Sequence, residues 1–480
     1  MQGTSLGPLA LKTQEERLWK LCFYWCTYLM RCASTSLQET TSCGVDQVAS
    51  GDISSRSSRH LSTKRPAPDS AIIPRVNNTL DSIRVVELTE ALAGPYCAML
   101  LGDLGADVIK VERPGTGYQS RSWGPPFVGG ESAYFLAANR NKRSITLNYD
   151  HPRGAEAFQK LLASVDVFLH NQPSRASLQK RGIDAETLCA KHPRLIYCSI
   201  TGYGFSGPKA EMSGYDILAQ AESGVMSFTG EPGGGPLRYP IAIADMTCGT
   251  YAAMGVLAAL FHREKTGRGQ ALEMALFDSQ LSWLANVGSS YLNADASPQR
   301  WANAHPNIVP YEVFRGSDDR YFVVGVGTDA LWKKFVHALG IQSEIGADAR
   351  FKTNAERIKH RAILVPQLQN IFSRETAAAW LEKFAAAEIP AAPINTVAEA
   401  VSAAQTQARG LIIQLEHPTI GTAKSIANPI RLSATPASYR LPPPLLGEHT
   451  EQVLRSLGYS EQEIKGMLEM QMNPQNAKAR

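Results

Sequence analysis

The apolar run 241–244 (IAIA) delivers one carboxylate, Asp245, into the first turn of a long apolar helix, just after the glycine-rich turn GEPGGGP at 230–236. Orphan backbone N–H groups and the positive end of the helix dipole lie in that turn, so Asp245 is expected to be ionised and held in place. An ionised, partly dehydrated carboxylate beside flexible glycine loops suits nucleophilic carboxylate chemistry. The plainer alternative is that Asp245 caps its helix, an ordinary task for aspartate. GEPGGGP itself reads either as a mobile flap or as a tight connector.

The elements that must position Asp245 follow in chain order. Residues 83–88 alternate and are β-branched, which predicts a strand; the loop TEALAGP leads to a helix near 96–104, and 107–112 reads as a second strand. This βαβ unit implies a parallel sheet with crossover helices. No GxGxxG follows the first strand, so the topology is expected to be Rossmann-like without dinucleotide binding. Arg113 falls just after the second strand, where open α/β sheets place ligands, at the head of a Gly/Pro-rich loop too long for a plain connector. Arg140, Lys142 and Arg143 form a basic cluster, readable as a phosphate contact or as a solvated charge run. Further strands are expected at 144–147, 166–170 (DVFLH, leading to Asn171) and 194–201, with a helix started by Pro152 between the first two. Residues 272–292 read as helical and 293–303 as a linker.

The expected fold class is α/β, with a large Rossmann-like parallel-sheet domain and a smaller α+β domain. The division is 1–76 as a presequence or disordered tail, 77–276 as the first part of the large domain, 277–303 as linker helix and linker, 304–390 as the small domain, and 391–480 as a C-terminal segment. In the small domain, strands at 311–314 and 321–326 precede amphipathic helices such as ETAAAWLEKFAAA.

A net charge of +4 over 480 residues gives no case for nucleic acid and suits an anionic small-molecule substrate. The eight cysteines show no CxxC and no paired spacing, which argues against a disulfide framework or a zinc site and for a reducing compartment. The apolar patch 21–30 is too short to cross a bilayer, so no membrane association is expected. Residues 54–70, SSRSSRHLSTKRPAPDS, are Ser- and Arg-rich and poor in acids, as mitochondrial presequences are. Location in the mitochondrial matrix is therefore expected, with the cytoplasm as the alternative.

Tyr215-Asp216, the glycine turn, Asp245 and the helix ending KTGRGQ resemble the core of the class III CoA-transferases. The likeness extends through VVELTEALAGPYCAMLLGDLGADVIKVERPGTG, NRNKRSITLN and AHPNIVPYEVF to PPPLLGEHT. That resemblance implies CoA contacts at Leu92, Ala93, Arg113, Leu147, Asn148, Tyr149 and Asn171, with Lys180 or Arg181 as the phosphate-binding cation and Lys180 taken as the candidate. It implies an active-site wall of Tyr215, Asp216 and His305, although His305 reads equally as a turn histidine. It also implies a homodimer of interlocked rings, with the C-terminal segment returning to the large domain. The implied chemistry passes through an acyl–aspartyl anhydride and an aspartyl-CoA thioester on Asp245, with no metal and no cofactor beyond the CoA or acyl-CoA substrate.

The family also contains racemases that move an alpha proton with a histidine in a GHD block. Here the block is Gly214-Tyr215-Asp216, and a phenol is a poor base at neutral pH. Racemization of a 2-methylacyl-CoA, non-catalytic acyl-CoA binding and thioester hydrolysis remain as alternatives. Within the family, WGPPFVGGESAYF, RWANAH and EHPTIG resemble the branch that exchanges CoA between succinyl-CoA and glutarate more than the formyl-CoA branch, as does Leu92. A dicarboxylate acceptor needs a cation for its far carboxylate, and Arg121, Arg238 and Arg300 are the candidates.

Overall fold

In a computed structural model that describes residues 78–472, a six-stranded parallel sheet carries the large part of the chain. The presequence reading lies outside the described residues. Strand β1 (Arg84–Leu88) leads through helix α1 (Ala93–Asp103) to β2 (Asp107–Glu112), so the predicted βαβ unit is present. There follow β3 (Lys142–Thr146), α2 (Pro152–Leu162), β4 (Val167–His170), α3 (Arg175–Lys180) and β5 (Ile196–Thr201). Pro152 occupies the first turn of α2 and His151 caps it, as the sequence predicts.

The strand order is β3-β2-β1-β4-β5-β6, with every pair parallel. This is the order of the doubly wound dinucleotide folds, and it reverses direction between β1 and β4. The last strand, β6 (Ala271–Ala275), corrects the helical reading of 272–292. Its alternating sequence ALEMA pairs with β5 along Tyr197 to Thr201, and helix starts only at Leu276. A tertiary pairing partner outweighs the helix propensity of Leu, Glu and Met.

Both faces of the sheet are covered, which is why the strands read as near-continuous apolar runs. Val85, Val108, Leu169 and Cys198 face one core, shared with α1 and with the long helix α4 that follows β5 (Ala252, Val256 and Leu260). Val86, Ile109, Phe168 and Tyr197 face the other, shared with Phe158 and Leu161 of α2. Val453, Leu454 and Ile464, far along the chain, join that second core, so the C-terminal helices pack on the large sheet. A third core, from Val309 to Ile389, is built around Phe314, Phe322, Phe335, Phe372 and Phe384.

Helix α4 (Ile243–Thr266) is apolar and long enough to cross a bilayer by length and composition alone, but half of its apolar window is buried inside the protein. Gly249 brings it against α1: a Cβ there would collide with the Ala93 carbonyl. Arg263, buried near its C-terminal end, pairs with Asp166 at 2.9 Å just before β4.

The basic cluster is neither a solvated charge run nor a phosphate site. Arg140 pairs with Asp103, Lys142 with Glu87 and Arg143 with Asp107, and both Arg140 and Lys142 are buried. Internal acids that the sequence does not mark as neighbours account for all three cations.

Candidate active site

The point where strand order reverses leaves a crevice at the carboxyl ends of β1 and β4, where open α/β sheets bind ligands. A cleft of about 480 Å³ opens there. Glu90, Ala91 and Ala93 line it from the β1 side, Asn171 from β4 and Thr201-Gly202 from β5; Asp245 lies in its wall. Asn171 clamps the reversal point: its Oδ1 accepts the Glu90 N–H at 3.2 Å and its Nδ2 donates to the Glu90 carbonyl at 3.0 Å. Next to that clamp Ala91 holds φ 63, a left-handed conformation uncommon for a residue with a Cβ. Gly202 and Gly214 touch across the cleft wall, and a Cβ on either would strike the other's backbone. That contact brings the loop carrying Tyr215 over the end of β5.

Asp245 does not cap its helix. Residue Ala242 holds the N-cap position of α4 and provides no side-chain bond. The cap comes from another helix. Asp216, first residue of Asp216–Glu222, accepts the Ala244 N–H on Oδ1 at 2.8 Å. Its other oxygen accepts from buried Gln220 at 2.7 Å, and Gln220 Oε1 accepts the Tyr239 N–H at 2.8 Å. Asp216 is thus a positioning group in the wall, and the Asp245 carboxylate is left without a hydrogen-bond partner among the described residues.

This changes the expected ionisation. The helix terminus alone predicts an ionised Asp245, but burial and the neighbouring Asp216 charge push its pKa up to about 7. A carboxylate that titrates near neutrality, partnerless in a cleft, has its lone pairs available and is a stronger nucleophile than an ordinary aspartate.

Tyr134 is one of the cleft residues that the sequence reading missed. It follows Ser132, which caps the short helix Ala133–Ala137, and its ring meets Trp123 edge-on at 4.8 Å. Burial, then the Asp245 and Asp216 charges, raise its phenol to about 12, so it keeps its proton at neutral pH. The segment was marked by the length of the Gly/Pro loop and by the WGPPFVGGESAYF likeness, but neither singled out Tyr134. Tyr215 lines the cleft and is 60% exposed.

The other predicted residues fall into two places. Arg113 is exposed at the end of β2 and lies 5.9 Å from the Tyr118 ring, while Tyr149 follows β3 and carries Arg181 at 5.6 Å over its ring. Arg113 and Arg181 both act electrostatically on the Tyr149 phenol, so these groups share one surface. Arg181, rather than Lys180, sits there; Lys180 is exposed at the end of α3, one residue too early to join Tyr149. Leu147 is buried with its side chain in the core and its N–H bound to the Glu112 carbonyl, and Asn148 beside it is half-buried. Leu92 is the N-cap residue of α1, directly before the cleft-lining Ala93. His305 stands apart from the cleft-lining residues: its Nδ1 accepts the Asn307 N–H at 3.1 Å and its ring packs on Tyr311, which is a turn role.

Residues 80–450 match CoA-transferase family III. The chain is 40% identical over 411 residues to the succinyl-CoA:glutarate CoA-transferase of Mus musculus, covering 85% of this chain and 93% of that protein. It is 42% identical over 396 residues to the succinate–glutarate CoA-transferase of Agrobacterium fabrum, covering 80% and 97% respectively. The crystal structure of a CAIB/BAIF family protein from Brucella suis superimposes with a TM-score of 0.72 at 41% identity, over 79% of this chain and 100% of that one. The chain belongs to CoA-transferase family III. It is a CoA-transferase, acting on acyl-CoA and carboxylate substrates.

Proposed function

We propose that the enzyme moves CoA from succinyl-CoA to glutarate or a closely related dicarboxylate, with Asp245 as the covalent nucleophile. The observation that carries this reading is the partnerless Asp245 carboxylate at the strand-reversal cleft. An Asp245 oxygen attacks the thioester carbonyl, the C–S bond breaks, and CoA leaves as thiolate. The thiolate then attacks the aspartyl carbonyl of the anhydride and expels succinate. The acceptor carboxylate attacks the aspartyl-CoA thioester, and the returning thiolate attacks the acceptor's carbonyl, freeing Asp245. Each step exchanges one activated carboxyl for another, so the reaction needs no cofactor beyond CoA. We assign Tyr134, which lines the same cleft and keeps its proton, as the donor to the oxyanion that forms in each addition. Anhydrides hydrolyse, so the cleft must exclude water during turnover.

The Arg113–Tyr149–Arg181 surface supports binding of the CoA nucleotide, since guanidinium groups can both hold phosphate in a fork and stack on a purine. Arg113→Ala is expected to raise the CoA dissociation constant about tenfold while leaving the preference among acceptor acids unchanged. Calorimetric titration with CoA checks this; an unaltered constant would remove Arg113 from the site.

A homodimer fits the surface. Met254 and Phe261 of α4, with Trp283 and Leu292 just beyond, are exposed apolar groups, Phe261 by 64% and Leu292 by 80%. An apolar face of this kind ordinarily meets a partner. The Ser- and Arg-rich N-terminal region supports placement in the mitochondrial matrix, with the cytoplasm as the alternative.

The decisive experiment is mass spectrometry of the protein after brief mixing with succinyl-CoA and hydroxylamine. An Asp245 hydroxamate is expected. Unmodified Asp245, together with deuterium exchange into a 2-methylacyl-CoA, would instead establish racemization.

A further inference from the structure

Three arginines are available to a substrate's far carboxylate, and two are already engaged. Arg121 donates to Glu112 at 2.8 and 2.7 Å, lies 3.4 Å from Glu131 and stacks over Phe135. Arg300 donates to the Gly234 carbonyl and is not among the cleft-lining residues. Arg238 lines the same cleft as Asp245, is exposed, and has no ion pair among the described residues. It is an unpaired cation in the same cleft as the nucleophile.

Its placement is fixed from below. Buried Gln220 holds both the N–H and, at 3.4 Å, the carbonyl of Tyr239, the residue next to Arg238. The same Gln220 donates to Asp216, which caps the helix that carries Asp245. One buried Asp216–Gln220 pair therefore anchors the backbone of the cation and of the nucleophile together. Burial and the Asp216 charge raise the Asp245 pKa, and no cation lowers it. A cation in the cleft but clear of the nucleophile is what a substrate with two separated acidic groups requires.

Resting on the transferase reading above, we propose that Arg238 binds the far carboxylate of the acyl group while its near carboxyl is exchanged on Asp245, making Arg238 the residue that selects dicarboxylates over monocarboxylates. The Asp216–Gln220 anchor sets the distance between the two, and hence the chain length of the acid that spans it. A charge-assisted bond from a guanidinium to a carboxylate is strong enough to set such a preference.

The test compares glutarate with pentanoate, which has the same number of carbons and one carboxylate, as CoA acceptors in the wild-type enzyme, Arg238→Gln and Arg238→Lys. Arg238→Gln is expected to lower the glutarate-over-pentanoate ratio of kcat/KM about tenfold or more, mainly through the KM for glutarate. Arg238→Lys is expected to recover a large part of the ratio, because a cation is restored. An unchanged ratio, or equal losses for both acids, overturns the assignment of Arg238 and leaves the transferase reading intact. A wild-type enzyme that transfers CoA to neither acid and forms no Asp245 hydroxamate overturns both.

Discussion

Asp245→Ala is expected to abolish CoA exchange, by roughly 10⁴-fold or more, because every bond-making step passes through the removed carboxylate. The helix is expected to survive the change. Its N-terminus is capped from Asp216, not from Asp245, so the variant keeps the hydrogen bond that fixes α4. Stability and activity are thereby separable at this residue. In the folded enzyme the Asp245 pKa is raised from 3.8 to about 7, so the native state holds its proton more tightly than the unfolded chain does. Wild-type stability therefore falls as pH rises from about 4 to about 7 and the penalty is complete above that, a contribution that the alanine variant lacks. At pH 8 Asp245→Ala should consequently melt at a higher temperature than wild type. Activity has the opposite slope: kcat/KM of the wild type should climb about tenfold per unit below pH 7 and level off above it, since only the carboxylate attacks. Replacing Asp216 with Asn, which deletes the neighbouring charge, should move that inflection to lower pH. Retained turnover in Asp245→Ala would sink the covalent mechanism outright.

The sequence made the first βαβ unit, the parallel sheet and the position of Asp245 legible because each rests on local signals. Alternating β-branched runs, Pro152 at a helix start and an apolar helix after a glycine turn all show within a few residues. What stayed hidden depends on pairs distant in the chain. The partners of Arg140 and Lys142 lie 37 and 55 residues earlier, at Asp103 and Glu87, so charge patterning could only offer a solvated run or a phosphate site. Strand β6 exists because β5 is waiting for it, and no local rule separates ALEMA from the start of a helix. The capping of α4 by Asp216 spans 28 residues, and burial together with the Asp216 charge raises the Asp245 pKa, opposite to the local helix-terminus argument. Lys180 and Arg181 are adjacent in the chain, and only the three-dimensional position of Tyr149 distinguishes them.

Glu87→Ala is expected to cost about 3–5 kcal/mol of stability, the largest structural effect of any single change near the cleft. Glu87 is fully buried on β1 and receives Lys110 at 2.8 Å from β2 and Lys142 at 2.9 Å from β3. Burial works to raise its pKa, but the two ammonium charges outweigh it and hold the carboxyl down at about 2. Its removal would strand two buried cations whose one ion-pair partner among the described residues is Glu87. Lys142 already feels the strain of burial, with a pKa lowered to about 8 even while Glu87 is present, so losing Glu87 would drive it toward the neutral amine. The consequence reaches the active site. Lys110 also donates to the Thr89 carbonyl and Lys142 to the Pro95 carbonyl, both at 2.8 Å, and these two residues bracket the cleft-lining stretch of Glu90, Ala91 and Ala93. The triad is thus the floor under one wall of the cleft. Urea unfolding should show Glu87→Ala with a midpoint well below wild type at an unchanged slope, and CoA exchange should weaken even where the variant remains folded. Replacing Glu87 and Lys142 together by apolar residues of similar volume should recover part of the stability, because one buried cation, Lys110, is then left uncompensated instead of two. A double variant no better than Glu87→Ala would mean that the hydrogen bonds to Thr89 and Pro95, not the charges, hold this wall.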